Sequence, residues 1–388
     1  MNFDKLISRE GTNSEKYDSR VIKFGTEDVL PLWVADMDLS SSKAIQTALI
    51  ERVKHPIYGY TGYYDAYFDS IQRWMHKAHG WQIEKEWIAP INAIVTGLNL
   101  SVEALTKKGD GIIIQPPIYP PFYYAAKNHG RKLLENELKI VDGKYEIDFE
   151  DFEAKAKVAK LFLFCSPHNP TGRVWTKDEL EKLARICKEN GVLIISDEVH
   201  ADLVYEGNFH VPIATLENAK DITITLNAPS KTFNIAGIVS AYAIVENSSL
   251  RRRFHEIFKR YSLTQPTPIS LSATVAAYDF SDDWLDALLI YLKENLEYIE
   301  SRLLKMPNIK AMSTESTFLL WLDCKSLNLD DKKLEAIFIK DAKLGLNTGV
   351  SFGKGGEGFM RLNFAVPRVV LEKAMDQLEV AYQEKFNV

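Results

Sequence analysis

An alternation in the middle of this chain constrains its fold more than any other feature. Short, nearly unbroken apolar runs at Ile112–Gln115, Leu161–Cys165, Val192–Ser196, Ile222–Leu226 and Val239–Val245 are separated by stretches with helical periodicity. A strand buried on both faces reads as a continuous apolar run, and parallel strands need a long crossover, usually a helix. The pattern predicts a mostly parallel sheet covered by helices on both faces. The clearest crossover helix spans Lys177 to Asn190. Thr176 and Glu179 have capping-box spacing, Leu180, Leu183, Ala184 and Cys187 share one face, and Gly191 ends the run.

Beyond the sheet pattern comes a long helix, Trp284–Lys305. It is followed by a strand at Thr317–Asp323, a helix near Leu334–Ala342 and a glycine-rich loop at Gly345–Gly358. A strand at Phe359–Phe364 and a last helix from Pro367 complete the tail. This tail predicts a second, smaller α+β unit. The N-terminal stretch shows no core pattern of its own and is grouped with the tail. The expected division is a large domain at 45–282 and a small domain at 1–44 and 283–388, which 388 residues are long enough to support.

Composition excludes several classes. An apolar content of 46% with 26% charged residues is incompatible with a disordered chain. Lys and Arg number 47 against 53 Asp and Glu, a net charge of −6, which argues against a general affinity for nucleic acid. Three cysteines with no Cys-x-x-Cys pair suggest free thiols in a reducing compartment. The first residues carry no apolar signal region, and no run approaches the ~20 apolar residues of a membrane helix. The expectation is a soluble, cytoplasmic protein with no membrane or nucleic-acid partner. His168, His200 and His210 lack metal-ligand spacing on any single element. The Gly353-Lys354-Gly355-Gly356 run fails the spacing of a phosphate loop, and the basic cluster Arg251–Arg253 with Lys259 and Arg260 reads as a solvated helix face.

In open α/β sheets the ligand lies beyond the carboxyl ends of the strands. After the run ending at Cys165 comes SPHNPTG. After Ser196 comes Asp197-Glu198-Val199-His200, and after Leu226 comes Asn227-Ala228-Pro229-Ser230-Lys231. Three successive strand ends therefore bring an Asn, an Asp and a Lys to the mouth of one sheet. A carboxylate there needs a partner, because an isolated buried charge is costly.

The segments SPHNPTGRVW, ISDEVH, SKTFNIAG and FMRLNFA, in that order, resemble the signatures of fold-type I pyridoxal-phosphate (PLP) enzymes, the aspartate-aminotransferase superfamily. LPLWVADMD, YGYTG, QPPIYPPFY, DEVHADL and APSKTFNIAG are similar to the MalY/PatB-type cystathionine β-lyases, or cysteine C–S lyases. The resemblance implies fold type I, PLP as cofactor, an amino-acid substrate and a homodimer with shared active sites. It gives Lys231 as the lysine that carries the cofactor and later moves a proton. It gives Asp197 as the carboxylate that keeps the pyridine nitrogen protonated, Asn169 as the donor to the ring oxygen, and Tyr119 as the ring-stacking aromatic. Arg361 takes the substrate carboxylate, a task suited to a bidentate fork. Ile94 and Val95, at the start of a helix running to Leu105, and Ser230 are implied for the phosphate, with Tyr60 reaching it from a neighbouring subunit. His200 stands where aspartate aminotransferases have a Tyr.

Two departures bear on the reaction. Val239 occupies the position where most aminotransferases of the superfamily carry a phosphate-binding arginine, and the MalY/PatB group also lacks that arginine. Thr96 and Ala93 depart from the common Pro and Gly of the phosphate cradle. The expected reaction is β-cleavage of L-cystathionine or another cysteine S-conjugate to a thiol, pyruvate and ammonia. The alternative is an aminotransferase using the same residues. A regulator with a preceding helix–turn–helix domain is disfavoured, since no segment accommodates one.

Overall fold

A computed structural model describes residues 1–386 of the chain. Among these, seven strands form the main sheet: β1 (Ile88–Ile91), β2 (Gly111–Ile114), β3 (Lys132–Glu135), β4 (Ala159–Cys165), β5 (Leu193–Asp197), β6 (Thr223–Asn227) and β7 (Ala241–Ile244). Their order across the sheet is β1-β7-β6-β5-β4-β2-β3. β7 runs antiparallel to both neighbours, and the other pairings are parallel. A smaller sheet is formed by β8 (Lys310–Ala311), β9 (Leu319–Asp323), β10 (Asn347–Thr348) and β11 (Phe359–Asn363), in the order β8-β9-β11-β10. A mostly parallel sheet beside a smaller one is the expected architecture.

The central strands β4, β5 and β6 are buried along nearly their whole length, which is why they read as unbroken apolar runs. Apolar side chains above and below them form two core clusters, one on each face. The helix Lys177–Asn190 forms with both capping-box bonds in place, and Gly191 in the left-handed region ends it.

Some boundaries differ from the sequence reading. The run Val239–Val245 is a strand only over Ala241–Ile244, and it is antiparallel. Val239 has φ +56° and sits at the end of a short 3₁₀ turn, a backbone state incompatible with a strand. The long helix begins at Asp282, not Trp284, and ends at Leu303. The helix expected near Leu334–Ala342 starts at Asp331 and widens into a π turn over Ile337–Asp341. The stretch Gly345–Gly358 is not all loop. It holds β10 and a 3₁₀ turn at Gly349–Phe352, while Leu344–Gly345 pairs in parallel with Leu30–Pro31. Two-residue strands leave no periodicity to read in a sequence.

The segment after Leu30–Pro31 crosses to the small sheet and back toward the large one. Asn363 Nδ2 donates to the carbonyls of Val34 and Asp36, both at 2.6 Å. Asn234 receives Met37 N–H at 3.0 Å and donates to Leu39 O at 2.7 Å. The first helical turns are tied to this segment by ion pairs. Lys16, fully buried, lies 2.9 Å from Asp38, and Arg9 grips Asp36 at 2.6 Å and Asp38 at 2.7 Å.

Candidate active site

β4, β5 and β6 are neighbours in register, with Cys165 opposite Asp197 and Asp197 opposite Leu226. The loops that leave them converge on one cavity of about 170 Å³. Its wall includes Asn169 from the first loop, Asp197 and His200 from the second, and Ser230 and Lys231 from the third. Tyr119 closes one side. Ile94 and Val95 border it at the start of the helix Ile94–Leu105, whose first N–H groups have no partner within the helix. Gly97 allows that helix end to sit close to the sheet, since a Cβ there would meet Ile91 Cδ1 at 2.8 Å and Leu226 at 3.1 Å. The structure thus brings together eight of the ten predicted site residues around one space.

The electrostatics are those of a buried site. Burial pushes the Asp197 carboxyl up to about 7, against a 3.2 Å bond from Val199 N–H and the attraction of Lys231. The Lys231 amine is lowered by burial and by Arg361, while Asp36 and Asp197 act in the opposite sense. Its Nζ donates to Ala35 O, a neutral acceptor, at 2.7 Å. His200 is pushed down to about 3 by burial and by the nearby Lys231 and Arg361 cations. Its ring is neutral at physiological pH, and its Nδ1 is buried with no partner. An orphaned buried polar atom is the exception in folded proteins.

Arg361 does not border this cavity, but it adjoins it through Asn169. Its guanidinium, 4% exposed, donates from Nη1 to Asn169 Oδ1 at 3.0 Å. Nη2 donates to Trp33 O at 2.8 Å and Asn347 Oδ1 at 2.9 Å, and the group lies over the Phe352 ring at 4.9 Å. None of these partners is an anion, and no described carboxylate lies within ion-pair distance. A buried cation with only neutral partners is costly to keep. Burial lowers its pKa to about 10, and it remains charged.

Tyr60 is not brought to the cavity. It is 97% exposed, in an irregular stretch that also exposes Ile57 and Tyr58. Several groups at the site were missed by the sequence reading. The Ala35 and Trp33 carbonyls act through their backbone, so no side-chain type announces them. Asn347 lies in a two-residue strand, and Asn92 precedes the helix N-cap, Ala93. LPLWVADMD, which carries Trp33 and Ala35, was available as a signal, but only as a resemblance.

An α/β sheet whose strand ends supply Asn169, Asp197 and Lys231, with a helix N-terminus and a buried arginine, defines the large class of fold-type I enzymes. The chain belongs to the aminotransferase class I and II family, whose model matches residues 27–378. It is 40% identical to cystathionine β-lyase PatB of Bacillus subtilis over 98% of this chain and all of that protein. It is 36% identical to the protein MalY of Escherichia coli, over 96% of each. Among solved structures, cystalysin of Treponema denticola, whose crystal structure contains pyridoxal 5′-phosphate, superposes with a TM-score of 0.95 at 36% identity, covering 99% of both chains.

Proposed function

We propose that this chain is a PLP-dependent C–S β-lyase that cleaves L-cystathionine or another cysteine S-conjugate to a thiol, pyruvate and ammonia. The observation that carries the reading is a desolvated Lys231 amine in the cavity wall together with a buried, anion-free Arg361 that adjoins the cavity through Asn169. A site built for an amino acid needs both a nucleophilic amine and a carboxylate receptor. The kinship with cystathionine β-lyase PatB favours the lyase reaction over transamination.

The residues fit the cofactor. Lys231 would hold its aldehyde, Asp197 its ring nitrogen, Asn169 and His200 its ring oxygen, and Tyr119 its face. Asn169 Nδ2 donates to no described residue, and His200, whose buried Nδ1 has no partner, lines the same cavity. Ile94, Val95 and Ser230 would take the phosphate at a helix N-terminus, where partial positive charge gathers. When bound, PLP supplies an electron-withdrawing ring that stabilises negative charge at Cα. The protein's own part is positional and acid–base. Arg361 fixes the substrate carboxylate by a bidentate fork. Lys231 Nζ, kept unprotonated more readily by burial, removes the Cα proton. Asp197, whose negative charge is costly when unpaired in this site, would hold a protonated ring nitrogen and be balanced by it.

We further place residues 45–282 in a large unit and residues 1–44 with 283–388 in a small one. The Leu30–Pro31 pairing with Leu344–Gly345 and the Asn363 bonds to Val34 and Asp36 support the second grouping. The exposed Tyr60 and its apolar neighbours support a homodimer in which Tyr60 serves the partner's site. Among the described residues no helix is long and apolar enough to cross a membrane, and the three cysteines are free and buried. A reducing, cytoplasmic location accords with the thiols.

Incubation of the PLP-loaded protein with L-cystathionine tests the reaction. Pyruvate, ammonia and thiol should form with no added keto acid. A requirement for a keto-acid acceptor, with the cofactor left as pyridoxamine phosphate, would make it an aminotransferase.

A further inference from the structure

We propose that a buried row of two carboxylates and two imidazoles behind the cavity positions Asp197 and Lys231. The row begins at Glu198, the residue after Asp197. Glu198 accepts from Ser196 Oγ at 2.7 Å and lies 3.0 Å from His210 Nε2. The rings of His210 and His79 meet edge to face, with centroids 5.4 Å apart. His79 Nε2 lies 2.8 Å from Asp202 Oδ1. Asp202 also accepts from Trp74 Nε1 at 3.2 Å and from Thr232 Oγ1 at 2.7 Å. Thr232 is the residue after Lys231. One end of the row is therefore the residue after Asp197, and the other is bonded to the residue after Lys231.

The four side chains are 1–4% exposed. Burying that many ionisable groups is weak as a source of stability, since apolar replacements are often neutral or better. What the row does is geometric. It joins the ends of β5 and β6, through Glu198 and Thr232, to the helix Asp65–His79 and to the loop carrying His210. His210 Nδ1 is buried without a partner, consistent with a ring carrying its proton on Nε2 toward Glu198. The ionisable groups facing the row from neighbouring elements are Tyr242 on β7 and Tyr278 on the helix Pro268–Phe280, with hydroxyls 2.9 Å apart, and Asp197 and Lys231 at its ends. Asp202 keeps its carboxyl below the usual range despite burial, because His79, Thr232 and Trp74 all donate to it.

The inference rests on the cofactor reading, so the experiment separates the two. Borohydride reduction of the PLP-loaded wild type, followed by peptide mapping, should place the pyridoxyl group on Lys231. A label elsewhere overturns the functional reading and this inference with it. Given that label, Asp202→Asn and Glu198→Gln should each weaken PLP binding about tenfold, the scale of one charge-assisted bond. In Asp202→Asn, the pH midpoint of the bound cofactor's visible absorbance should also shift by about half a unit or more, because the carboxylate that holds Thr232, the residue after Lys231, is gone. Thr232→Val removes only the hydroxyl donor and should weaken PLP binding in the same direction, which covers the case of a misfolded Asp202→Asn. Asn136→Ala breaks a buried polar cluster at the far edge of the sheet and should shift neither quantity. Binding and midpoint within twofold and about 0.1 unit of wild type in the row variants would overturn the proposal. So would an equal shift in Asn136→Ala.

Discussion

Replacing Arg361 by alanine isolates the contribution of a cation that has no anion of its own. Its three polar partners, Asn169 Oδ1, Trp33 O and Asn347 Oδ1, are neutral acceptors at 2.8–3.0 Å. Most of what Arg361 adds to substrate binding must therefore come from the substrate carboxylate. Truncating one member of a buried, hydrogen-bonded charge pair costs about 2–5 kcal/mol. That corresponds to about a 30- to 5,000-fold fall in kcat/KM. Stability should change less than for an ordinary buried arginine. The alanine loses the stacking on Phe352 and leaves three acceptors unpaired, but it also removes an uncompensated buried charge. Arg361→Lys keeps the charge without the fork and should fall between wild type and alanine. The assay is steady-state pyruvate release over a range of L-cystathionine, with PLP content and thermal midpoint measured on the same samples. Unchanged PLP content with a large fall in kcat/KM is the expected pattern. If the alanine variant stays within threefold of wild type, the carboxylate is held elsewhere and the reasoning fails.

Two further outcomes follow from the site. The Asp197 carboxyl is raised by burial, so the cofactor-free fold binds a proton that the unfolded chain has released between about pH 4 and 7. Its stability should fall as pH rises through that window. Asp197→Asn should flatten that slope in urea titrations at several pH values, and a slope unchanged in the variant would contradict the assignment. For Tyr60, mixing Tyr60→Phe with Lys231→Ala chains should give mixed dimers with one intact site, recovering up to about a quarter of wild-type activity at random exchange. No recovery, with exchange confirmed by mass measurement, would place Tyr60 outside any shared site.

The parts of the fold legible in the sequence were those where burial is continuous. β4, β5 and β6 have helices on both faces and are hydrophobic throughout, and the Lys177–Asn190 helix carries its own cap and stop. β1 contains a proline, β3 is only partly buried, and the two-residue strands are too short for a period. None of these was legible. β7 was placed but its start and direction were not. Val239 extends its apolar run in sequence across Ser240, while the positive φ of Val239 turns the chain before the strand begins.

The same distinction runs through the site. Side chains that leave strand ends, such as Asp197 and Lys231, were found because topology fixes where strand ends lie. The groups that hold them were not, because backbone carbonyls such as Ala35 O and Trp33 O exert their effect without any characteristic residue type. Lys231 Nζ and Arg361 Nη2 both donate to the segment Trp33–Ala35, some 200 and 330 residues away in sequence. Asn363 holds that segment at Val34 and Asp36, and Asn234 holds the chain just beyond it at Met37 and Leu39. The amine and the guanidinium are therefore spaced by a common strip of main chain. A substrate whose carboxylate is fixed by Arg361 must bring its Cα proton to Lys231 Nζ over the distance that strip imposes, and an α-amino acid, whose carboxylate is bonded directly to Cα, presents the two at a fixed separation.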